Sequence, residues 1–422
     1  MYANIFLYLI SCIFVLLTHS AMLIHVFLNG NYESITNVIV LAVAVILLDI
    51  TWFILMKMFR HRSCVIDFML VLILNMSVIF QSCFGGVSLS VKHYITCIVS
   101  LVASQVGFKL CRNHKWLQMN KKYYYIAIGV LMLIILTLTG SRSMWIEIGS
   151  SITIQPSEFI KPLFVLACAT SIAEQQNKRK LACFFVVYEN FALYGLTAVI
   201  CLLQWWCRDL GSLPTFVGIF AVGFFARICY PKAKFSRKTL IQAGVILLIV
   251  GLIAMKFAPD YVQERLHTDI WNDKTGGGYQ QSKALIAIAE GGLFGKGAGY
   301  GELCEVFAYD NDIVFATICE EWGLIFALVS IATIIIMIFS ICINPPCSYY
   351  HATMSAGVIA YFIMQMSLNI FGSCNLIPFT GVTIPFISAG GSSMLTSGFM
   401  AGMLIAVQSP EFSEPVARRH SL

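Results

Sequence analysis

Charged side chains are scarce in this sequence. Asp, Glu, Lys and Arg make up 11% of its residues, whereas 59% are hydrophobic. This composition excludes an ordinary soluble domain, in which about a quarter of the residues are charged. Apolar runs long enough to cross a bilayer recur along almost the whole chain, so we predict an all-α polytopic membrane protein with about twelve transmembrane helices. The predicted spans lie near 4–28, 34–58, 65–83, 93–110, 123–140, 158–174, 184–204, 211–229, 238–258, 313–343, 351–373 and 385–408.

The sequence also lacks the signals of secretion and of metal binding. Residues 2–4 lead straight into the first apolar run without a basic n-region or a cleavage site, so we expect no signal peptide. The 15 cysteines include no CxxC pair and no His/Cys metal spacing. Most lie in predicted spans, where cysteine behaves as a small hydrophobic residue. Unpaired packing thiols are therefore favoured, although four cysteines near one face could in principle pair: Cys83, Cys207, Cys304 and Cys374.

Basic residues fall in alternate short loops, which sets the expected orientation. Because cytoplasmic loops are enriched in Lys and Arg, this pattern predicts that both termini are cytoplasmic. The long connection 259–312 then lies on the outer side. The net charge of +6 is mostly this topological signal and gives no reason to expect nucleic acid as a partner. The basic residues are Arg60, Arg62, Arg112, Lys115, Lys121, Lys122, Lys178, Arg179, Lys180, Lys232, Lys234, Arg237, Lys238, Arg418 and Arg419.

The connection 259–312 contains most of the residues that suggest chemistry. Asp273 precedes a glycine turn at 276–278, which would leave its carboxylate exposed to a substrate. By composition alone, however, such a residue is more often an ordinary loop aspartate. Residues 279–289 predict a helix half-buried at the membrane surface, and a surface helix with solvated charges is the alternative. Its expected apolar side consists of Leu285, Ile286, Ile288 and Ala289.

Two shorter segments expected at the same face also carry charge. Pro156 and Ser157 predict a helix start, which places Glu158 and Lys161 on one face of the first turn. Because an unpaired charge costs roughly 2.5–3.5 kcal/mol in the bilayer, a mutual salt bridge and a substrate-contacting role are both open for this pair. Asp209 lies just before another predicted helix, and capping of that helix explains it adequately.

These segments and a C-terminal motif resemble the SEDS family (shape, elongation, division and sporulation; FtsW, RodA and SpoVE). Residues 378–393 read P-x-T-G-x-x-x-P-F-I-S-x-G-G-S-S, a long and specific signature of that family. The steps G-Y-Q, G-G-L-x-G-x-G-x-G, D-x-x-F-A and E-E-x-G-L precede it in the family's order. The likeness covers roughly residues 123–408. It implies a catalytic membrane core at 123–408, N-terminal membrane helices at 1–122 that include two spans beyond the family's ten, and a short cytoplasmic tail at 409–422.

The resemblance implies a peptidoglycan glycosyltransferase in the bacterial cytoplasmic membrane. Such enzymes polymerise lipid II, a disaccharide-pentapeptide on undecaprenyl pyrophosphate, at the outer face of the membrane, where membrane lipid surrounds the substrate tails. The 4-hydroxyl of one sugar attacks the anomeric carbon of another, and a lipid pyrophosphate leaves. This chain shows no soluble domain for peptide cross-linking, so the resemblance also implies a class B penicillin-binding protein as the transpeptidase partner.

Site residues follow from the same resemblance. The family's essential aspartate lies six residues before the tyrosine of G-Y-Q, which implies Asp273 as the general base, with Asp269 as the reserve candidate. The departing pyrophosphate needs positive charge from Arg or Lys side chains or from a divalent cation such as Mg²⁺ or Mn²⁺. The implied substrate-binding residues are Arg142, Glu158, Lys161, Arg265, Lys283 and Asp312.

The chain departs from the family pattern within these motifs. Lys274 follows Asp273 where the family usually has proline, and Lys283-Ala284 replaces a second Gln-Ser. Arg208 replaces the proline of Q-P-D-L-G, and Asn311 replaces the Thr or Ser before Asp312. The retained Asp273 and the intact C-terminal signature argue against a catalytically dead relative.

Two other functions remain open from the sequence. A transporter of lipid-linked precursor (a flippase) would depend on ionisable groups inside spans, and Asp49 and Glu189 are the candidates. A non-catalytic activator of a penicillin-binding protein would not depend on Asp273 at all. Substitution of Asp273 therefore separates the polymerase from both alternatives.

Overall fold

The computed structural model describes most of the chain, and most of what it describes is helical. The described residues are 2–59, 65–138, 144–148, 152–173, 178–181, 184–187, 191–209, 211–228, 263, 269–272, 277–346 and 348–408. Numbered in chain order, the helices are α1 (Tyr2–Asn29), α2 (Ile35–Phe59), α3 (Val65–Cys83), α4 (Val91–Arg112), α5 (His114–Met119), α6 (Lys122–Leu138), α7 (Pro156–Ala173), α8 (Phe191–Trp206), α9 (Ser212–Ile228), α10 (Gly277–Gly291), α11 (Val314–Phe339), α12 (Tyr349–Ser373) and α13 (Gly391–Val407).

Two short antiparallel ribbons and two 3-10 turns complete the described elements. Strands β1 (Ile146–Ile148) and β2 (Ile152–Ile154) form one ribbon directly before α7. Strands β3 (Lys178–Leu181) and β4 (Phe184–Val187) form the other, before α8. The 3-10 turns are Leu303–Glu305 and Ser340–Cys342.

The helices confirm the predicted polytopic membrane fold. Six of them are long and apolar enough to cross a membrane, namely α1 to α4, α11 and α12. Shorter apolar helices are α6, α8, α9 and α13, and α7 carries the charged pair predicted at its first turn. Each predicted span thus corresponds to a helix except 238–258, which lies outside the described residues.

Two predicted spans begin later in the structure than expected. The span predicted from 184 starts with strand β4, and its helix begins at Phe191. A short apolar run such as 184–187 does not distinguish a strand from a helix. The span predicted from 385 begins at Gly391, because Phe386 has φ of 67°, a left-handed conformation that a right-handed helix excludes.

Close contact between α4 and α13 organises the centre of the bundle. A Cβ on Gly398 would lie 2.2 Å from the carbonyl oxygen of Ser100, and one on Gly402 would lie 2.0 Å from that of Ser104. The two backbones therefore touch, as small residues allow in membrane proteins. Helix α12 packs on α7 and α9, and α10 packs on α11. Within an apolar 18-residue stretch of each helix, 89% of the residues are buried in α3, whereas only 22% are buried in α1 (Cys12–Asn29) and 33% in α2.

Candidate active site

A buried ion pair lies at the first turn of α7. Pro156 opens the helix, and the Lys161 ammonium contacts Oε1 of Glu158 one turn earlier. Both residues are buried, at 4% exposure for Glu158 and 1% for Lys161. Because a buried charge is tolerated only when paired, each side chain compensates the other. The predicted salt bridge is thus present, and contact of the pair with substrate stays a prediction.

Lys161 also reaches the C-terminal signature through Gln365 of α12. With its amide oriented to satisfy both neighbours, the Gln365 oxygen lies 2.7 Å from Lys161 Nζ, and its nitrogen lies 3.3 Å from the carbonyl oxygen of Thr383. The Lys161 ammonium lies 5.8 Å from the centre of the Tyr361 ring. Oε2 of Glu158 is buried and accepts no hydrogen bond from any described residue.

Hydroxyl groups hold the signature loop in shape. Ser388 Oγ accepts a hydrogen bond from the N–H of Ile384 at 2.9 Å and donates to the carbonyl oxygen of Asn311 at 2.8 Å. The hydroxyls of Thr383 and Ser393 lie 2.7 Å apart across the loop. The serines and threonine of the signature thus fix the loop and tie it to the segment before α11.

Asp312 lies on that segment, directly against the signature loop. The side-chain amide of Asn369 donates to the carbonyl oxygens of Asp312 at 2.8 Å and Val382 at 2.6 Å. A Cβ on Gly381 would lie 3.2 Å from Oδ2 of Asp312, and Gly381 has φ of 65°, so both contact and backbone favour glycine there. Burial, with a contribution from Asp310, raises the pKa of Asp312 to about 7.

The connection between α8 and α9 contacts both the start of α7 and loop 378–393. Asp209 Oδ1 accepts a hydrogen bond from the N–H of Ser212 at 3.0 Å, which confirms the predicted capping of α9. Its Oδ2 accepts from Gln155 at 3.3 Å. A Cβ on Gly211 would lie 2.4 Å from the Val382 side chain. We call this junction, made of Gln155, Glu158, Lys161, Asp209, Asp312, Gln365, Asn369 and loop 378–393, the signature cluster.

Helix α10 packs on the protein through small residues, whereas its predicted apolar side was expected to meet the membrane surface. The small residues Ala284 and Ala287 are buried, whereas Ile286 is 40% exposed. Small side chains let α10 lie close on α11, and Gln281 donates to the carbonyl oxygen of Gly372 at 2.9 Å. Lys283 is exposed, with its Nζ 5.8 Å from the centre of the Tyr279 ring.

The remaining predicted site residues make local hydrogen bonds or lie outside the described residues. Asp269 is exposed, and its carboxylate accepts hydrogen bonds from the N–H of Trp271 at 3.1 Å and the side chain of Asn272 at 2.6 Å. Arg142, Arg265 and Asp273 fall outside the described residues. Among the described residues, no group of His, Cys, Asp or Glu converges as a metal site would require. The four cysteines considered for pairing are free thiols.

Two residues of the cluster, Gln365 and Asn369, were not predicted. Both lie inside the predicted span 351–373, and a polar amide inside a span is costly without partners. That cost could have pointed to these two residues from the sequence alone. It indicates that the two side chains face protein rather than lipid.

The glycine-rich segment 291–301 wraps around a break in α11. Gly323 has φ of 81° inside that helix, and a Cβ on Gly291 would lie 1.9 Å from the carbonyl oxygen of Cys319. Glu320 accepts hydrogen bonds from Lys296 Nζ at 2.9 Å and from the N–H of Leu303 at 2.9 Å. The G-G-L-x-G-x-G-x-G and E-E-x-G-L motifs therefore form one packed joint.

Fold and site together define a multi-pass membrane protein in which a buried charged pair, an aspartate of raised pKa and a C-terminal loop meet at the helix ends. Residues 56–411 match the model of the FtsW/RodA/SpoVE cell cycle protein family, and the chain belongs to that family. The SEDS resemblance is thereby confirmed.

Individual relatives agree with this family. The chain is 33% identical over 279 residues to the probable peptidoglycan glycosyltransferase FtsW of Alcanivorax borkumensis, covering 64% of this chain and 69% of that protein. It is 30% identical over 315 residues to stage V sporulation protein E of Bacillus subtilis, covering 69% of this chain and 79% of that protein.

Two solved structures share the fold. A chain from a peptidoglycan synthase complex that coordinates polymerization and crosslinking matches with a TM-score of 0.61 and 20% identity, covering 81% of this chain and 96% of that one. The rod shape determining protein RodA of Thermus thermophilus matches with a TM-score of 0.54 and 18% identity, covering 81% and 95%.

Proposed function

We propose that this protein is a peptidoglycan glycosyltransferase that polymerises lipid II. Family membership and the names of the relatives support this activity. The observation that carries the proposal is the signature cluster, in which Asp312 contacts loop 378–393 and the buried Glu158–Lys161 pair is linked to the same loop through Gln365. Such a cluster positions polar groups at the ends of membrane helices, where a lipid-linked substrate would present its sugars and phosphates.

In the proposed reaction, Asp273 takes the proton of the acceptor 4-hydroxyl as that oxygen attacks the anomeric carbon of the donor sugar. A new glycosidic C–O bond forms, and the bond from the anomeric carbon to the pyrophosphate breaks with its electron pair. A general base of this kind contributes about 10²–10⁴-fold to the rate. Arg142, Arg265 and Lys283 are the proposed sources of positive charge for the leaving pyrophosphate. Lys161 differs from them because Glu158 already compensates its charge.

The proposal includes an orientation and a partner. Both termini lie in the cytoplasm and the connection 259–312 lies outside, as the basic loops favour. The catalytic reaction then takes place at the outer face of the membrane, and a class B penicillin-binding protein supplies cross-linking. The solved relative from a synthase complex supports such an assembly, since that complex couples polymerization to crosslinking.

The transporter alternative has less support. Its two candidate relay groups were Asp49 and Glu189. Asp49 accepts a hydrogen bond from Asn75 at 2.7 Å, which gives it a local role between α2 and α3. Glu189 lies outside the described residues.

Polymerisation of purified lipid II tests the proposal. The detergent-solubilised protein is assayed with its transpeptidase partner as wild type, Asp273→Ala and, as a matched loop control, Asp269→Ala. Long glycan strands from wild type and Asp269→Ala, and none from a folded Asp273→Ala, support both the activity and the general base. Products lost only in Asp269→Ala would transfer the role to the reserve candidate. Absence of product from wild type would refute the polymerase and favour the transporter or activator.

A further inference from the structure

The turn between α1 and α2 is hydrogen-bonded to the glycine-rich segment. The N–H of Asn31 donates to the carbonyl oxygen of Ala298 at 2.7 Å, and its side-chain amide donates to that of Gly299 at 3.2 Å. The Asn31 carbonyl oxygen accepts a hydrogen bond from the N–H of Val87 at 3.0 Å. One asparagine thus joins the N-terminal turn to two other loops.

Close backbone contact reinforces these hydrogen bonds. A Cβ on Gly297 would lie 2.9 Å from the carbonyl oxygen of Asn29, and one on Gly299 would lie 3.2 Å from Cβ of Asn31. Both glycines also have positive φ, 114° and 83°. The turn therefore fits against the two glycines without room for a side chain.

The glycine-rich segment is also hydrogen-bonded to α11. Glu321 is fully buried and accepts hydrogen bonds from the N–H of Gly299 at 2.9 Å and of Gly85 at 3.0 Å. One residue further along α11, the Trp322 ring lies 5.3 Å from the ring of His25 on α1. The α3–α4 loop and the glycine-rich segment therefore converge on one buried carboxylate, and Asn31 of the N-terminal turn is hydrogen-bonded to both.

The first two helices lie almost entirely before the segment that matches the family model. The family match begins at residue 56, after α1 and most of α2. The glycine-rich segment that they contact follows α10 directly, and α10 begins four positions after Asp273. We propose that the α1–α2 hairpin is an intramolecular brace, with Asn31 as a positioning residue that restrains the segment next to the active-site loop. The effect on polymerisation rests on the proposed function, whereas the brace itself does not.

Hydrogen exchange of the full-length protein in detergent tests the brace. Asn31→Ala removes the side-chain donor to Gly299. Asn37→Ala is the matched control, because its amide belongs to the same hairpin but donates to the carbonyl oxygen of Val87 at 2.9 Å. We expect peptides from 291–301 to exchange about twofold to tenfold faster in Asn31→Ala, as loss of one hydrogen bond predicts, and at the wild-type rate in Asn37→Ala.

Each result decides the proposal. Wild-type exchange at 291–301 in Asn31→Ala, or acceleration spread evenly over all helices, would overturn the brace. If Asn31→Ala does not fold, Asn31→Asp keeps the side-chain size, lacks the donor and answers the same question. In lipid II polymerisation, a lower kcat with unchanged KM in Asn31→Ala alone supports restraint of the active-site loop, and unchanged kcat overturns that part. An inactive wild type would refute the proposed function, while exchange would still decide the brace.

Discussion

Asn369 donates its side-chain amide to the carbonyl oxygen of Asp312 at 2.8 Å and to that of Val382 at 2.6 Å. One buried amide in α12 therefore holds the predicted substrate-binding aspartate in register with the signature loop. Because these carbonyl groups come from two separate segments, no backbone ladder replaces the contact. The geometry of the signature cluster depends on this side chain.

Replacing Asn369 by Leu should therefore destabilise the protein. Loss of the donor leaves buried carbonyl oxygens unsatisfied, which costs about 1–3 kcal/mol. Equilibrium unfolding in mixed micelles measures the change, and lipid II polymerisation should fall with it. Asn344→Leu is the control, since Asn344 lies between α11 and α12 and its amide makes one long contact, 3.4 Å, with Gln408 at the C-terminal end of α13. Equal stability of the two variants would contradict a role for Asn369.

The Glu158–Lys161 pair offers a test that separates structure from substrate contact. Glu158→Gln leaves the Lys161 ammonium buried without its carboxylate, and we expect a loss of about 3–5 kcal/mol in unfolding free energy. The double variant Glu158→Gln/Lys161→Met removes both charges and should recover most of that stability. Unfolding of the three proteins in mixed micelles measures this.

Activity of the double variant then decides the role of the pair. A stable double variant that no longer polymerises lipid II indicates contact with substrate. A stable double variant with wild-type turnover would show that the pair only holds the top of α7. This comparison resolves the two interpretations that the i, i+3 spacing left open.

The pattern of apolar residues predicted most of the fold because each span is a local feature. The predicted span 65–83 coincides with α3, since Arg60 and Arg62 precede the apolar run and two glycines with positive φ, Gly85 and Gly86, follow it. The pattern failed where a short apolar run leads into a helix. The apolar run Phe184–Val187 fits a strand as well as it fits a helix. Its pairing with β3 shows that it is a strand, and the local sequence does not encode that pairing.

The candidate site was predictable only in part. The contact of Glu158 with Lys161 follows from helical spacing, but the contact of Lys161 with Gln365 joins positions far apart in the chain. Such a contact arises from the packing of α7 on α12, which no local pattern encodes. The exposed Ile286 and buried Ala284 of α10 show the same limit, because close packing on α11 selected the small residues.

Asp312 should make stability depend on pH. Burial, with the neighbouring Asp310, raises the pKa of Asp312 to about 7, against 3.8 for a free aspartate. Between these values the folded protein retains a proton that the unfolded chain has lost. The stabilisation is therefore complete below about pH 4 and is lost as the pH rises through about 7. Asp312→Asn stays neutral, so its melting temperature relative to wild type should rise over this range.

Asp310 provides the control for this pH dependence. Asp310→Asn removes the charge that helps to raise the pKa of Asp312. The loss of stability with rising pH should therefore be complete at a lower pH in Asp310→Asn than in wild type. Thermal unfolding of the three proteins at several pH values between about 4 and about 8 measures both effects. A constant gap between Asp312→Asn and wild type across that range would contradict the raised pKa.

Glu321 should contribute to stability through its two backbone donors. Glu321→Gln keeps the side-chain size but replaces one acceptor oxygen by an NH₂ group, which then faces the N–H of Gly85 or Gly299. Because a buried N–H left without an acceptor costs about 1–3 kcal/mol, we expect a loss of that order in unfolding free energy. Unfolding in mixed micelles gives the value.

Glu305→Gln is the matched control for Glu321→Gln, since Glu305 is an exposed carboxylate near the same segment. Surface substitutions of this kind change stability by about 0.5 kcal/mol or less. Hydrogen exchange should in addition accelerate at 83–90 and at 291–301 together in Glu321→Gln, because one carboxylate serves both loops. Acceleration in only one of the two loops would mean that they are held independently, and the joint would not act as a unit.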